Sequence, residues 1–135
     1  MGDSLIRTNK VKQGLEVLLE ALKLSEKFGM DKHYITAFVL QDLGWGYFKK
    51  QDYHAALKYA EKALILRREL YGSQNYHELA ESLHNLGDIY LALKNRKKAL
   101  NLYQEALDMY IALSLEHLPQ VNDIKQQIAS LTSSS

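Results

Sequence analysis

Leu40-Gln41-Asp42-Leu43-Gly44-Trp45-Gly46-Tyr47 returns 43 residues later as Leu83-His84-Asn85-Leu86-Gly87-Asp88-Ile89-Tyr90. The same spacing carries Ala37 onto Ala80, Ala56 onto Ala99, Leu57 onto Leu100, Ala63 onto Ala106, Leu64 onto Leu107 and Gly29 onto Gly72. Small and large apolar positions recur together, and a repeat of this length marks stacked helical units rather than one globular core.

Working outward, each unit reads as two helices. Asp31 is expected to cap a helix from about His33 to Lys49, and Asp52 to cap the next, which runs to about Tyr71 with Gly72 as its stop. Asn75 with Glu78 three residues on has the form of a capping box opening a helix that continues to about Leu93. A fifth helix follows from about Arg96 to Leu115. Pro119 suits the first turn of a sixth, whose apolar stripe is Val121, Ile124, Ile128 and Leu131. Upstream, Leu15, Leu18, Leu19 and Leu22 recur at helical spacing and Gly29 supplies the left-handed residue that ends a helix. Shifted by 42 residues, this opening helix places Gly14 on Ala56, Leu15 on Leu57, Ala21 on Ala63 and Leu22 on Leu64, so the chain begins in mid-repeat on a second helix. Ala129 falls where Gly44 and Gly87 fall, which makes the last helix a lone first helix, capped by the polar face of Asp123, Lys125, Gln126 and Gln127. The expected organisation is a tail or short turn over 1–9 and an array over 10–131. The array comprises a partial repeat (10–29), two repeats (33–72 and 75–116) and a capping helix (118–131), with a disordered tail over 132–135.

Leu40-x-x-Leu43-Gly44-x-x-Tyr47 followed by Ala56-x-x-x-Ala60-x-x-Ala63, and Leu83-x-x-Leu86-Gly87-x-x-Tyr90 followed by Ala99-x-x-x-Tyr103-x-x-Ala106, resemble the tetratricopeptide repeat. Leu40 and Leu83 replace the family's usual tryptophan, and no proline closes either unit. The second helices run on through Leu70-Tyr71 and beyond Ile111, past the common repeat of about 34 residues. In this, and in the stretch Tyr71-Gly72-Ser73-Gln74-Asn75-Tyr76-His77-Glu78-Leu79-Ala80, the chain resembles the long subtype of kinesin light chains. The resemblance implies an all-α right-handed solenoid of antiparallel helix pairs, about six helices in all, that acts as a protein-interaction scaffold. The small residues then have a packing role. Gly44 with Ala56, and Gly87 with Ala99, are expected where paired helices cross at roughly 8–10 Å, with Tyr47 and Tyr90 filling the wedge between units.

The 135 residues are 47% hydrophobic and 24% charged, enough apolar content for a sizeable core. A formal net charge of +1 supplies no field to attract nucleic acid or an anionic membrane. Cysteine is absent, which excludes disulfides, thiolate nucleophiles and thiolate metal sites. No signal-peptide core or membrane-spanning run appears, so a cytoplasmic protein without membrane insertion is expected. No nucleophile elbow, phosphate loop or zinc motif is present, and neither catalysis nor a cofactor is expected. His84 and Asp88 share a helix face at i, i+4, which two polar groove residues explain without a metal. The basic run Lys94-Asn95-Arg96-Lys97-Lys98 lies in a turn and lacks interleaved aromatics, so no nucleic-acid partner is inferred.

Function in this architecture belongs to the concave face lined by first helices. By the family's register that face holds Phe38, Gln41, Trp45, Phe48 and Lys49 in one repeat and Glu81, His84, Asn85, Asp88 and Leu91 in the next. Phe38, Trp45 and Phe48 form a second apolar stripe on a helix whose Leu40, Leu43 and Tyr47 already face its partner. A helix apolar on two faces must bury both or offer one to a ligand. Three readings stand: the stripe is core, covered by the opening helix or by the chain itself; it floors a groove for a protein or peptide ligand, with Lys49, Glu81 and Asp88 on a mixed rim; or it meets a second copy, in a homodimer made through Leu15, Leu18 and Leu22 of the unpartnered helix. A sensor of a small peptide or metabolite is a remote fourth. The family's carboxylate clamp is not implied, since its places hold Gln41, Trp45, Asn85, Asp123 and Gln127 and only Asn85 matches. An extended or helical peptide engaged through aromatic contacts is the expected partner.

Overall fold

A computed structural model describes the backbone of residues 2–72 and 75–133 and the side chains of residues 10–72 and 75–133. The described residues form six helices and no strand: α1 (Gly2–Lys27), α2 (Tyr34–Lys49), α3 (Tyr53–Tyr71), α4 (His77–Ala92), α5 (Arg96–Ala112) and α6 (Pro119–Ser133). The chain divides within α3 into two compact units, Met1–Leu66 and Arg67–Ser135.

Four helix ends close in one way. After α1 the N–H of Met30 donates to the Ser25 carbonyl and that of Gly29 to Glu26, with Gly29 at φ 71°. The ends of α2, α4 and α5 repeat this 6→1 and 5→2 pattern around Gln51, Lys94 and Ser114, at φ 67°, 64° and 59°. This is the Schellman closure, which satisfies carbonyls the helix leaves open and favours glycine at the left-handed residue. Gly72 ends α3 at φ 68°, as its spacing from Gly29 requires.

The N-termini depart from expectation in two places. The cap of α2 is His33, whose Nδ1 accepts from the Ile35 N–H at 3.1 Å, and not Asp31. Imidazole nitrogen here takes the part of the short oxygen acceptor expected two residues earlier. At α4 the cap falls on Tyr76, whose side chain makes no capping bond, so the box read at Asn75 and Glu78 does not form. Asn75 lies one residue too early to hold the cap. Asp52 does accept from the Ala55 N–H at 3.3 Å, and Asn95 from Lys98 at 3.3 Å. Pro119 opens α6 as expected.

Two expected tails are helical. α1 begins at Gly2, because no proline breaks residues 2–13 and propagation costs little once a helix is nucleated downstream. At the other end Thr132 and Ser133 continue α6, with the Thr132 hydroxyl donating to the carbonyls of Ile128 at 2.9 Å and Ala129 at 3.1 Å. Met1, Ser73, Gln74, Ser134 and Ser135 lie outside the described residues.

In the first unit α1 packs on α2 and α2 on α3. Leu15 of α1 is 5% exposed, and its Cδ2 lies 2.7 Å from where a Cβ on Gly46 would be. A Cβ on Gly44 would lie 3.1 Å from the backbone N of Ala60 and 3.3 Å from the Ala56 carbonyl oxygen, so the α2–α3 crossing is set by backbone. Leu40, Leu43, Ala56 and Ala63 fill it, and complete burial of a leucine such as Leu43 contributes about 2 kcal/mol. In this hairpin the Tyr47 ring stacks on Tyr59 at 5.5 Å.

In the second unit α5 packs between α4 and α6. Leu83, Leu86, Ile89, Ala99 and Tyr110 are buried, and Val121 and Ile124 anchor α6. The residue closest to Gly87 is not Ala99: a Cβ there would lie 2.8 Å from Cε1 of Tyr103, which occupies the place that Ala60 holds in the first unit. Glycine gives room for a ring at this crossing, whereas Gly44 gives room for a neighbouring backbone.

Candidate functional sites on the two first helices

On α2, Thr36, Ala37, Leu40, Leu43 and Gly44 turn inward. Phe38 and Trp45, which recur on the opposite side, are 47% and 37% exposed, so the opening helix does not cover them. Phe48 is half-buried and connects them to the next helix: its ring stacks on Trp45 at 5.2 Å with 16° between planes and meets the Tyr53 ring of α3 at 5.6 Å. The Lys49 ammonium lies 5.7 Å from the Trp45 ring centroid, a cation–π distance. Gln41 is half-buried beside this face. Trp45 and Phe48 thus hold each other by stacking, Phe38 lies on the same side of the helix, and the face is open to solvent at Phe38 and Trp45, with a cation beside Trp45. Tyr53 was missed in sequence reading; it follows the turn by two residues, and only the fold brings its ring to Phe48.

The α4 positions behave differently. Asp88, in register with Trp45, accepts a hydrogen bond from the Tyr103 hydroxyl at 2.5 Å and lies 3.8 Å from His84 Nε2. The His84 ring meets the Tyr103 ring edge-on at 6.0 Å. Burial raises the Asp88 carboxyl above the ordinary aspartate range, against the pull of the Tyr103 hydrogen bond and the His84 charge. Burial first, and Asp88 second, push the Tyr103 hydroxyl far upward. Asp88 therefore serves as an internal acceptor that fixes α5 on α4, rather than a free rim charge. Glu81 stands 3.4 Å from His77 Nε2, and Asn85 and Leu91 are half-buried. Among the described residues no three histidine, aspartate or glutamate side chains cluster as a metal site would need.

Arg67, at the end of α3 in the second unit, is fully buried, and its Nη1 donates to the Glu78 carbonyl at 2.8 Å and to the Ser82 hydroxyl at 2.7 Å. Sequence reading passed over it because arginine in a helix is usually solvated. The signal lay in the repeat: Arg67 is in register with Tyr110, also buried, at a position that takes a long side chain with a polar tip.

The residues proposed for self-association separate. Leu15 is taken up by Gly46, and Leu18 and Leu22 are half-buried. Among the described side chains, the exposed large apolar residues here are instead Val17 and Leu24 of α1, at 68% and 45%, and Phe28 just after it, at 69%.

A helix-pair array with a glycine at each first-helix crossing defines an α-solenoid class, and the chain matches the family model described as tetratricopeptide repeat over residues 1–69 and 46–112. The chain belongs to the tetratricopeptide repeat family. It is 29% identical over 109 residues to the RxLR effector protein SFI4 of Phytophthora infestans (strain T30-4), an alignment covering 79% of this chain and 31% of that protein. Its fold is similar to that of BtubC (BKLC) from P. vanneervenii, with a TM-score of 0.74 and 17% identity over 93% of this chain and 55% of the other. It is also similar to a variant of the nearly identical TPR-like repeats of a Podosopora anserina kinesin light chain, with a TM-score of 0.73 and 14% identity over 93% and 58%. The chain thus spans about a third of the curated relative it matches and just over half of these solved chains. Repeats of this fold generally mediate protein–protein interaction and are generally non-enzymatic. Among the described residues no helix is long and apolar enough to cross a membrane.

Proposed function

We propose that this chain is a protein-interaction module whose α2 face binds a peptide or helix of a partner through Phe38, Trp45, Phe48 and Tyr53. The observation that carries this reading is the open aromatic row: Trp45 is stacked on Phe48, yet more than a third of its surface faces solvent. Large apolar side chains are normally buried, and rings held rigid before binding lose little conformational entropy when a ligand arrives. Such a surface suits an apolar or aromatic partner side chain, with Gln41 and Lys49 giving orientation at its edge. On α4, Glu81, His84 and Asn85 offer a separate polar surface, and Asp88 supports it from within.

The test uses Trp45, the only tryptophan. Its emission is expected to be red-shifted and quenched by iodide. A peptide-display selection on the wild-type chain is expected to return ligands that shift this emission and do not bind Trp45→Ala, while helical circular dichroism is unchanged. A blue-shifted, protected emission at every protein concentration, or ligands that bind Trp45→Ala equally well, would overturn the reading.

A further inference from the structure

The second unit carries an acidic surface built from two helices. On α4, His77, Glu81, His84 and Asp88 follow one another at three- and four-residue steps and so share one side of the helix. Gln120 and Asp123 do the same on α6, and Asp123 is exposed. Tyr110 of α5 lies between the two stripes: His77 meets its ring edge-on at 5.9 Å, and Glu81 and Gln120 both lie near enough to act on its hydroxyl. Asp88, raised chiefly by burial, also feels the charge of Asp123. Among the described residues no lysine or arginine pairs with Glu81, Asp88 or Asp123. Lys125 stands two residues from Asp123, which puts it on another side of α6.

Two polar atoms here are buried and unspent. Tyr110 is fully buried and its hydroxyl makes no hydrogen bond; Gln120 is near enough to oppose the burial-driven rise of its pKa but is not placed to bond. His77 Nε2 is likewise buried and unbonded, 3.4 Å from Glu81 Oε1. Buried polar atoms are seldom left without partners, so two of them beside one carboxylate mark a place that receives a polar group. Carboxylates only accept, and neutral imidazole and a phenol oxygen each keep a lone pair, so the arriving group must donate and carry positive charge. We infer that this face binds a basic segment of a partner protein, with one arginine or lysine entering beside His77 and Glu81 over Tyr110 and a second pairing with Asp123. The Glu81 side chain is 37% exposed, which lets it turn, accept from the Tyr110 hydroxyl with one oxygen and meet the cation with the other. Glu81 and Asp88 are seven residues apart, about 10 Å along α4, and Asp123 stands near Asp88. Cations at i and i+3 of an extended peptide match that gap. This surface is separate from the aromatic face of α2 and does not depend on it.

Fluorescence anisotropy of the full chain with a fluorescein-labelled Gly-Ser peptide carrying arginines at i and i+3 tests this. The dissociation constant is expected to be on the order of 100 µM in about 0.1 M salt. Most of the binding should be lost in about 1 M salt, where the Debye length falls from about 10 to about 3 Å. The same peptide with glutamates in place of the arginines should not bind. Glu81→Gln and Asp123→Asn change partly exposed side chains, should leave the circular dichroism intact, and are each expected to weaken binding about tenfold. Tyr110→Phe deletes a hydroxyl that bonds to nothing in the unliganded chain and should weaken it about fivefold. Trp45→Ala should bind as the wild type does. No rise in anisotropy up to about 1 mM chain would refute the proposal. So would wild-type affinity in Tyr110→Phe, which would mean a plain acidic surface, and so would loss of binding in Trp45→Ala, which would put the peptide on α2.

Discussion

Replacing Gly44 by alanine sets two opposing effects against each other at a known geometry. Within a helix, alanine is favoured over glycine by about 1 kcal/mol. The new methyl, however, would lie 3.1 Å from the Ala60 nitrogen, 3.2 Å from the Ala60 Cβ and 3.3 Å from the Ala56 carbonyl oxygen. Favourable contacts between carbons begin near 3.5 Å, and two of these three atoms are backbone, so relief requires α3 itself to move by a few tenths of an ångström. Overpacking of this kind costs about 1–3 kcal/mol, which leaves Gly44→Ala between neutral and about 2 kcal/mol destabilised. Gly14→Ala is the internal control: it is in a helix, exposed, with nothing within 4 Å, and should show the full gain of about 1 kcal/mol. The two variants should therefore differ by about 1–3 kcal/mol, or about 4–12 °C in Tm for a chain of this size. Thermal melts followed at 222 nm measure the difference. If Gly44→Ala is stabilised as much as Gly14→Ala, the crossing is not set by backbone contact and the account of the small residues fails.

Arg67→Met removes two charge-assisted hydrogen bonds from a buried site and is expected to cost about 2–4 kcal/mol in urea unfolding, with Arg67→Lys recovering part of the loss because both bonds leave the one nitrogen Nη1 and an ammonium has donors enough for both. Burial pushes the Tyr110 hydroxyl up to about 12, with Gln120 opposing the shift and Glu81 adding to it. The folded state thus holds a proton that the unfolded state releases from pH 10, so stability should fall as pH rises from 10 to 12; Tyr110→Phe should lose less stability over that window, read by urea midpoints at each pH. Gln51→Gly and Lys94→Gly relieve left-handed strain at two helix ends and should each raise stability by roughly 0.5–1 kcal/mol, read by thermal melts. A loss of stability in either would refute the reading of those turns.

Most of the fold was legible because the helix-pair code is local. Gly44, Ala56, Gly87 and Ala99 mark crossings by size alone, and Gly29, Gly72 and Pro119 mark ends by conformation. The caps were less legible: His33 and Asp31 are both plausible acceptors two residues apart, and which one serves depends on where the first helical turn settles. The site was legible in part. Phe38, Trp45 and Phe48 could be placed on one face from spacing, but their exposure could not, since it depends on what α1 covers. Leu15 looked free for the same reason, and the glycine that receives it, Gly46, is not part of any motif. Asp88 was read as a rim charge because its partner, Tyr103, stands where the repeat pattern has a small residue.

That substitution makes the two repeats poor partners for recombination. Trp45 and Asp88 occupy equivalent positions, as do Ala60 and Tyr103, and the residues suit each other only in their own pairs. A crossover in the turn that joined α2 to α5 would bring the Tyr103 hydroxyl to Trp45, where no carboxylate accepts it. The reciprocal product, α4 followed by α3, would leave the Asp88 carboxylate partly buried opposite the Ala60 methyl, with no tyrosine to donate to it. Unequal exchange between these repeats would therefore yield hairpins with one mismatched pair, Trp45 with Tyr103 or Asp88 with Ala60.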